Sequence, residues 1–160
     1  MKAVQVVKPN DLRIIDMEKP VIDEKNNVLV KIAASGICGS DVGIYLGTNA
    51  AATYPRVIGH EIVGYVVEVG ESAKKVKVGD RVIIDQVVPC GHCYACRKGR
   101  PNVCGDLHVR GVHIDGGYRE YMAVPDTDCY LVPEMLTDEE AVMIEPTTIA
   151  VQCCSRAQIE

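Results

Sequence analysis

The sequence predicts a mainly β domain with a few helices: a partly open, barrel-like body, a cysteine-rich excursion over about residues 88–106, and helices at the end. Three observations predict it. Short runs rich in Val and Ile, each bounded by Gly, Pro, Asn or Asp, recur through the first half and again over 118–133, which is the pattern of strands separated by turns. Four cysteines crowd a stretch that is otherwise small or polar. Helix-starting signals come late, from Thr137 on.

The elements follow in order. AVQVV (3–7) and LRIID (12–16) read as the first two strands, then VLVKIAAS (28–35), EIVGYVVEV (61–69) and RVIID (81–85), and after the cysteines YREYMAVP (118–125) and DCYLVP (128–133). Asn26-Asn27 and Gly79-Asp80 mark turns. Gly64 and Gly70 interrupt a strand pattern, which predicts bends or bulges at the corners of the sheet. Thr137 with Glu140 three residues on forms a capping box. A second helix is expected from near Pro146, a good first-turn residue, through to the last residue with no stop signal. That open end reads as a chain cut at a domain junction. Phe and Trp are absent, so the core must be built from Val, Ile, Leu, Ala and the 7 Tyr.

Size and charge narrow the function. A chain of 160 residues fits one domain, large enough to fold without a disulfide framework. A net charge of -5 argues against a nucleic-acid groove or an anionic membrane as partner. No apolar run is long enough to span a bilayer. The apolar start ends at Lys8 and Pro9, too early for a signal-peptide core. A cytoplasmic location is therefore expected, where thiols stay reduced, and the cysteines read as ligands or core residues.

Cys90-x2-Cys93-x2-Cys96-x7-Cys104 carries the strongest chemistry. Two-residue gaps let successive thiolates turn toward one point, and four thiolates at about 2.3 Å close a tetrahedral zinc shell with no open position, a structural site. The intervening residues cannot build a core, so the metal must order the loop, with roughly 10–16 kcal/mol of apparent binding free energy. Two C-x-x-C redox motifs are the alternative, although overlapping motifs and a fourth cysteine fit it poorly. His92 is a spare donor that could replace one thiolate.

A second set is scattered. Cys38 lies in SGICGSD, His60 and Glu61 in VIGHEIVG, and Glu145 in MIEPTT. Singly, a Cys or His is more often a core residue. Together, one thiolate, one imidazole and one or two carboxylates on loops make the mixed donor set of a zinc site with a place left for water or substrate, where the metal acts as a Lewis acid.

GICGSD (36–41), YPRVIGHEIVGYVVEVG (54–70), VGDRV (78–82), the four-cysteine loop, GVHIDGGYREY (111–121) and AVMIEP (141–146) cover nearly the whole chain. In these motifs and their order the chain resembles the catalytic, chaperonin-10-like (GroES-like) domain of the zinc-containing medium-chain alcohol dehydrogenases. Within that family it is most like polyol and sugar-acid dehydrogenases of the bacterial starvation-sensing-protein and L-galactonate oxidoreductase type. The resemblance implies a GroES-like domain over 1–146 and the start of a linking helix over 147–160. It implies two zinc ions: a structural one at Cys90, Cys93, Cys96 and Cys104, and a catalytic one at Cys38, His60, Glu61 and Glu145, the last two interchangeable. It makes Ser40 the hydroxyl that takes the substrate's proton and Asp41 the carboxylate that orients the ligand histidine, although Asp41 also suits a cap on the helix after Cys38. It leaves Cys129, Cys153 and Cys154 as core or helix residues. The implied reaction moves hydride from a secondary alcohol, small or sugar-derived, to NAD(P).

Two features depart from the family. Where polyol-type relatives often carry a histidine five residues after the ligand cysteine, this chain has Gly43. No G-x-G-x-x-G follows a strand pattern, so the dinucleotide site is expected elsewhere, and the chain reads as a fragment with little turnover of its own. An apolar face around 141–154, left for a neighbouring domain, predicts a homo-oligomer. A non-enzymatic zinc module that binds or regulates a partner is the competing reading. A nucleic-acid-binding zinc fold would need Arg97, Lys98, Arg100, Arg110 and Tyr94 to outweigh the acidic remainder.

Overall fold

A computed structural model describes residues 1–158. The strands are β1 (Lys2–Lys8), β2 (Asp11–Asp16), β3 (Val28–Ser35), β4 (Arg56–Val57), β5 (Ile62–Val69), β6 (Arg81–Ile84), β7 (Val87–Val88), β8 (His108–Val109), β9 (Tyr121–Val124) and β10 (Cys129–Leu131). The α-helices are α1 (Gly39–Leu46), α2 (Tyr94–Arg97), α3 (Asp138–Val142) and α4 (Ile144–Ala157). All seven strands expected from the Val/Ile runs are present. The additional strands β4, β7 and β8 are two residues each, too short to show any alternation in sequence.

Five strands pair in the order β10-β6-β5-β3-β9 and three in the order β2-β1-β4. Residues 118–120 stitch the two sheets together. Ala3 bridges to Arg119, Val4 N–H donates to the Tyr118 carbonyl at 2.8 Å, and Ile32 N–H to the Glu120 carbonyl at 2.9 Å. This use of the backbone explains why the expected strand at Tyr118 begins at Tyr121. The result is the partly open barrel that the strand pattern predicts.

The barrel interior is aliphatic: Val28, Val30, Ile62, Val66, Val82, Ile84, Met122 and Val124 form one buried cluster. β5 is covered on both faces. Ile62 and Val66 point inward, while Val63 packs with Val132, Ala141 and Val142 under α3. A third cluster, Val6, Ile44, Ile58 and Val112, lies under α1 and is closed by Tyr45, Tyr54 and Tyr118. The tyrosines thus supply the aromatic bulk at the barrel's edge.

Gly64 allows β3 and β5 to approach: a Cβ there would sit 2.4 Å from the Lys31 carbonyl oxygen, and the expected irregularity falls directly opposite, where the β3 register shifts between Ile32 and Ala34. The capping box is formed as expected, with Thr137 N–H donating to Glu140 Oε2 at 2.8 Å and Glu140 N–H to Thr137 Oγ1 at 3.2 Å. α4 begins two residues ahead of Pro146 and ends at Ala157, where Gln158 takes a left-handed conformation with φ 53. The last two residues of the expected helix lie outside the described ones. None of the residues of α4 is buried. Among the described residues, no helix is long and apolar enough to cross a membrane.

Candidate metal centres

The cysteine loop is an excursion with a closed neck. β7 and β8 pair antiparallel, Val87 with Val109 and Val88 with His108. Beyond them α2 and a 3-10 turn at Pro101–Val103 carry the sulfurs to one point. The Sγ atoms of Cys90 and Cys96 are 4.0 Å apart, those of Cys93 and Cys96 3.5 Å, and those of Cys93 and Cys104 3.8 Å. A regular tetrahedron with zinc–sulfur bonds of about 2.3 Å has edges of about 3.8 Å. The separations match that edge and are far too long for a disulfide. Backbone N–H groups of Cys90 and Asp106 point at Cys104 Sγ, and that of Cys93 at Cys90 Sγ, each at 3.3 Å. Hydrogen bonding from the backbone at Cys96 and Gly105 pulls the Cys93 thiol down to about 6, while burial and the neighbouring thiols push Cys96 up to about 12. Four sulfurs this close cannot all ionise without a cation between them. His92 turns away, with Nδ1 2.9 Å from the Cys90 carbonyl oxygen.

The second cluster joins distant parts of the chain. Cys38 precedes α1, and His60 and Glu61 precede β5. One ligand atom from each lies within 4.8 Å of the others. His60 and Glu61 are each 7% exposed. Asp41, 2% exposed, lies beneath them. Its Oδ2 accepts from Cys38 N–H at 2.9 Å and its Oδ1 from Gly59 N–H at 3.1 Å. Asp41 is therefore a helix cap, as one of the two expectations held. Its Oδ1 also faces His60 Nδ1, but at 3.8 Å, longer than a hydrogen bond. Among the described residues, His60 Nδ1 and Ser40 Oγ are buried polar atoms without a partner, as are Ser35 Oγ, Arg56 Nε and Arg119 Nε. Such atoms are uncommon in a folded chain, and two of them fall on His60 and on Ser40, two residues after Cys38. The donor set suits a divalent zinc ion with an open place.

Glu145 lies apart from that trio. Its Oε1 accepts from Gln86 Nε2 at 2.5 Å. Burial raises its pKa above the ordinary carboxylate range, the His60 charge opposes this, and the Glu61 and Asp85 charges add to it. It forms one wall of a cleft of about 700 Å³ whose apolar lining includes Ile83, Tyr130, Leu131 and Ile144. The sequence treats Glu61 and Glu145 as equivalent, whereas the fold brings Glu61 to Cys38 and His60 and ties Glu145 to an amide.

Glycines shape the scaffold beneath His60. A Cβ on Gly36 would fall 1.9 Å from Glu61 Oε2, one on Gly116 2.1 Å from the Gly59 carbonyl oxygen, and one on Gly59 2.2 Å from the Tyr118 ring. Gly59 also has a φ of 91, which glycine adopts without strain. The 111–117 turn is held by Gly116 N–H donating to the Val57 carbonyl at 2.7 Å and Gly117 N–H to the Gly59 carbonyl at 2.8 Å. Asp115 pairs with Arg56 at 2.9 Å. GVHIDGGYREY is thus a backbone platform under the 57–61 segment. Tyr118 carries no signal in the sequence beyond its place in that motif. Its hydroxyl donates toward the Gly36 carbonyl at 2.8 Å and Asp41 Oδ2 at 3.3 Å. Burial first, then the charge of Asp41, raises its pKa above the ordinary phenol value. Of the three unassigned cysteines, Cys129 is buried, and Cys153 and Cys154 are exposed on α4.

Comparison with known proteins agrees with this architecture. Residues 24–134 match the family described as alcohol dehydrogenase GroES-like domain. The chain is 49% identical over 158 residues to the starvation-sensing protein RspB of Escherichia coli K12, a match covering 99% of this chain and 46% of that protein. A crystal structure of the RspB alcohol dehydrogenase of E. coli CFT073, in complex with NADH, superposes with a TM-score of 0.89 at 49% identity over 99% of this chain and 46% of that one. Galactitol-1-phosphate dehydrogenase from E. coli superposes with a TM-score of 0.91 at 34% identity over 99% and 45%. The chain spans a little under half the length of the relatives it matches.

Proposed function

The chain belongs to the zinc-type alcohol dehydrogenase family as its GroES-like domain, and from that premise we propose that it forms the catalytic half of an oxidoreductase that removes hydride from a secondary alcohol. The observation that carries this reading is the convergence of Cys38, His60 and Glu61 from separate segments onto one point within 4.8 Å; Ser40, two residues after Cys38, has a buried hydroxyl without a partner. A zinc loop that only bound a partner would have no use for that second cluster.

Cys38, His60 and Glu61 would hold the catalytic zinc, and Glu145, outside that trio and held by Gln86, would act on the site directly in exchange with Glu61 or through water. Cys90, Cys93, Cys96 and Cys104 would hold the structural zinc. The catalytic ion would supply a Lewis acid for an alcohol oxygen. With His60 Nδ1 turned to Asp41, its Nε2 is the nitrogen left for the metal. Ser40 would accept the alcohol proton and pass it outward. Gly43 offers no side chain beyond it, so the proton's path would continue through solvent. The hydride would leave the alcohol carbon for a nicotinamide cofactor, NAD(P), and a ketone would remain. The cofactor carries the redox step and the protein provides orientation and charge.

The name of galactitol-1-phosphate dehydrogenase favours polyols or other sugar-derived alcohols as the substrate class; the cytoplasmic setting rests on the sequence reading alone. Residues 1–146 would be the catalytic domain, and the rest of α4, to Ala157, would belong to a linking helix. The exposed Met143, Ile149 and Val151 favour a homo-oligomer, which light scattering at micromolar concentration would show as a mass of at least two chains.

Elemental mass spectrometry on protein purified without chelator tests the central reading. Two zinc ions per chain are expected. A ratio of one, retained by the Cys38→Ala variant, would overturn it and leave a zinc module.

A further inference from the structure

We infer that Tyr118 is a positioning residue that sets the distance between the Cys38 turn and His60, and so tunes the affinity of that site for its metal. The inference rests on the metal-site reading above and names a residue outside the ligand set.

Tyr118 touches both halves of the site through different parts of one side chain. Its hydroxyl spans the turn that carries Cys38, meeting the carbonyl of Gly36 on one side and the carboxylate of Asp41 on the other. Cys38 is bracketed by those two residues, and its own N–H is bound to the same Asp41 oxygen. The ring lies against Gly59, the residue before His60, in the space a Cβ would fill. Gly59 N–H is bound in turn to the other Asp41 oxygen. A rigid phenol thus stands between the thiolate's segment and the imidazole's segment, with Asp41 as the second tie between them.

The backbone of Tyr118 is itself immobilised. Its N–H donates to the Ile58 carbonyl at 3.0 Å and its carbonyl accepts from Val4 at 2.8 Å. The ring packs in the cluster formed by Ile44, Ile58 and Val112. Nothing in this arrangement lets the hydroxyl drift while the ring stays in place. Removing the hydroxyl alone would loosen the Gly36 side of the Cys38 turn, with Asp41 still bound to Cys38 N–H, and leave the ring's packing intact. Partners of this kind around metal ligands typically change affinity by about 10–100-fold.

The test is Tyr118→Phe, which keeps the ring against Gly59. The probe is Co²⁺ alone, titrated into metal-free protein under reducing conditions and followed by its thiolate charge-transfer and d–d bands. Cys38→Ala assigns the bands of the one-thiolate site, and the four-thiolate loop serves as the internal reference. In the wild type two sites are expected to fill. In Tyr118→Phe the affinity of the one-thiolate site is expected to fall by about tenfold or more, with its d–d bands shifted, while the four-thiolate site and the melting temperature of the metal-free protein stay close to wild type. Unchanged affinity and bands at the one-thiolate site would overturn the role of Tyr118 and leave the metal-site reading standing. A fall matched at both sites, with a lower melting temperature, would make the hydroxyl merely structural and overturn the role as well. Failure of the wild type to load any metal at Cys38 would overturn both readings together.

Discussion

The two cysteine-containing centres are built in opposite ways. The four-cysteine loop draws all its donors from fifteen consecutive positions, Cys90 to Cys104, and of these only Cys104 is buried. The Cys38 centre draws its donors from two segments, sets His60 and Glu61 among buried residues, and rests on a scaffold packed so closely that a Cβ would clash at Gly36, Gly59 and Gly116. In the first, an ion would have to order the protein. In the second, the fold already orders the donors and an ion would be a guest. The lesson concerns cause: a donor set that is local in sequence depends on its ligand for shape, and a dispersed one depends on the fold.

That contrast can be broken or sharpened by four experiments. The largest effect is expected from Cys96→Ala. It removes most of the roughly 10–16 kcal/mol that a structural zinc contributes to its loop, and amide exchange should become fast over 89–107 while β3, β5 and β6 stay protected. Loss of protection in β5 would show that the lobe supports the barrel. Next, Gly116→Ala places a methyl group against the Gly59 carbonyl and is expected to cost about 1–3 kcal/mol in chemical denaturation while also lowering zinc occupancy at Cys38, although it changes no ligand. An unchanged midpoint would mean the platform can yield. Thr137→Ala, which loses a cap far from both centres, should cost about 1 kcal/mol and leave zinc content at two. The smallest shift in stability of the metal-free protein is expected from Cys38→Ala, within about 1 kcal/mol, yet it should lower zinc content from two to one. A large loss of stability there would mean that the thiol itself holds the fold.

Much of this was legible in sequence for identifiable reasons. β3, β5 and β6 are Val/Ile-rich because they line the barrel, and the Thr137 cap is local chemistry at fixed spacing. The four-cysteine loop was legible from spacing alone. The Cys38 centre was legible as a mixed donor set and gained its spacing only through likeness to a family, because a Cys at 38 and a His at 60 carry no periodic or local sign of meeting. Tyr118 escaped notice because its role depends on what lies across from it, Gly36, Asp41 and Gly59, and not on its neighbours in the chain. The separation of Glu145 from Glu61 was hidden for a similar reason, since the amide of Gln86 that holds Glu145 comes from the distant link between β6 and β7.

The paired neck of β7 and β8 has a consequence for engineering. Val88 and His108 are already cross-strand partners, so the polypeptide enters and leaves the lobe at the same place. Residues 89–107 can therefore be exchanged as a cassette. A short turn would close the gap as an ordinary hairpin, and loop-closure entropy rises only slowly with length, so a larger graft, even a foreign binding domain, would load the barrel little more than the native lobe does. The lobe is in that sense a socket, and the barrel is a chassis that can be studied with the socket empty.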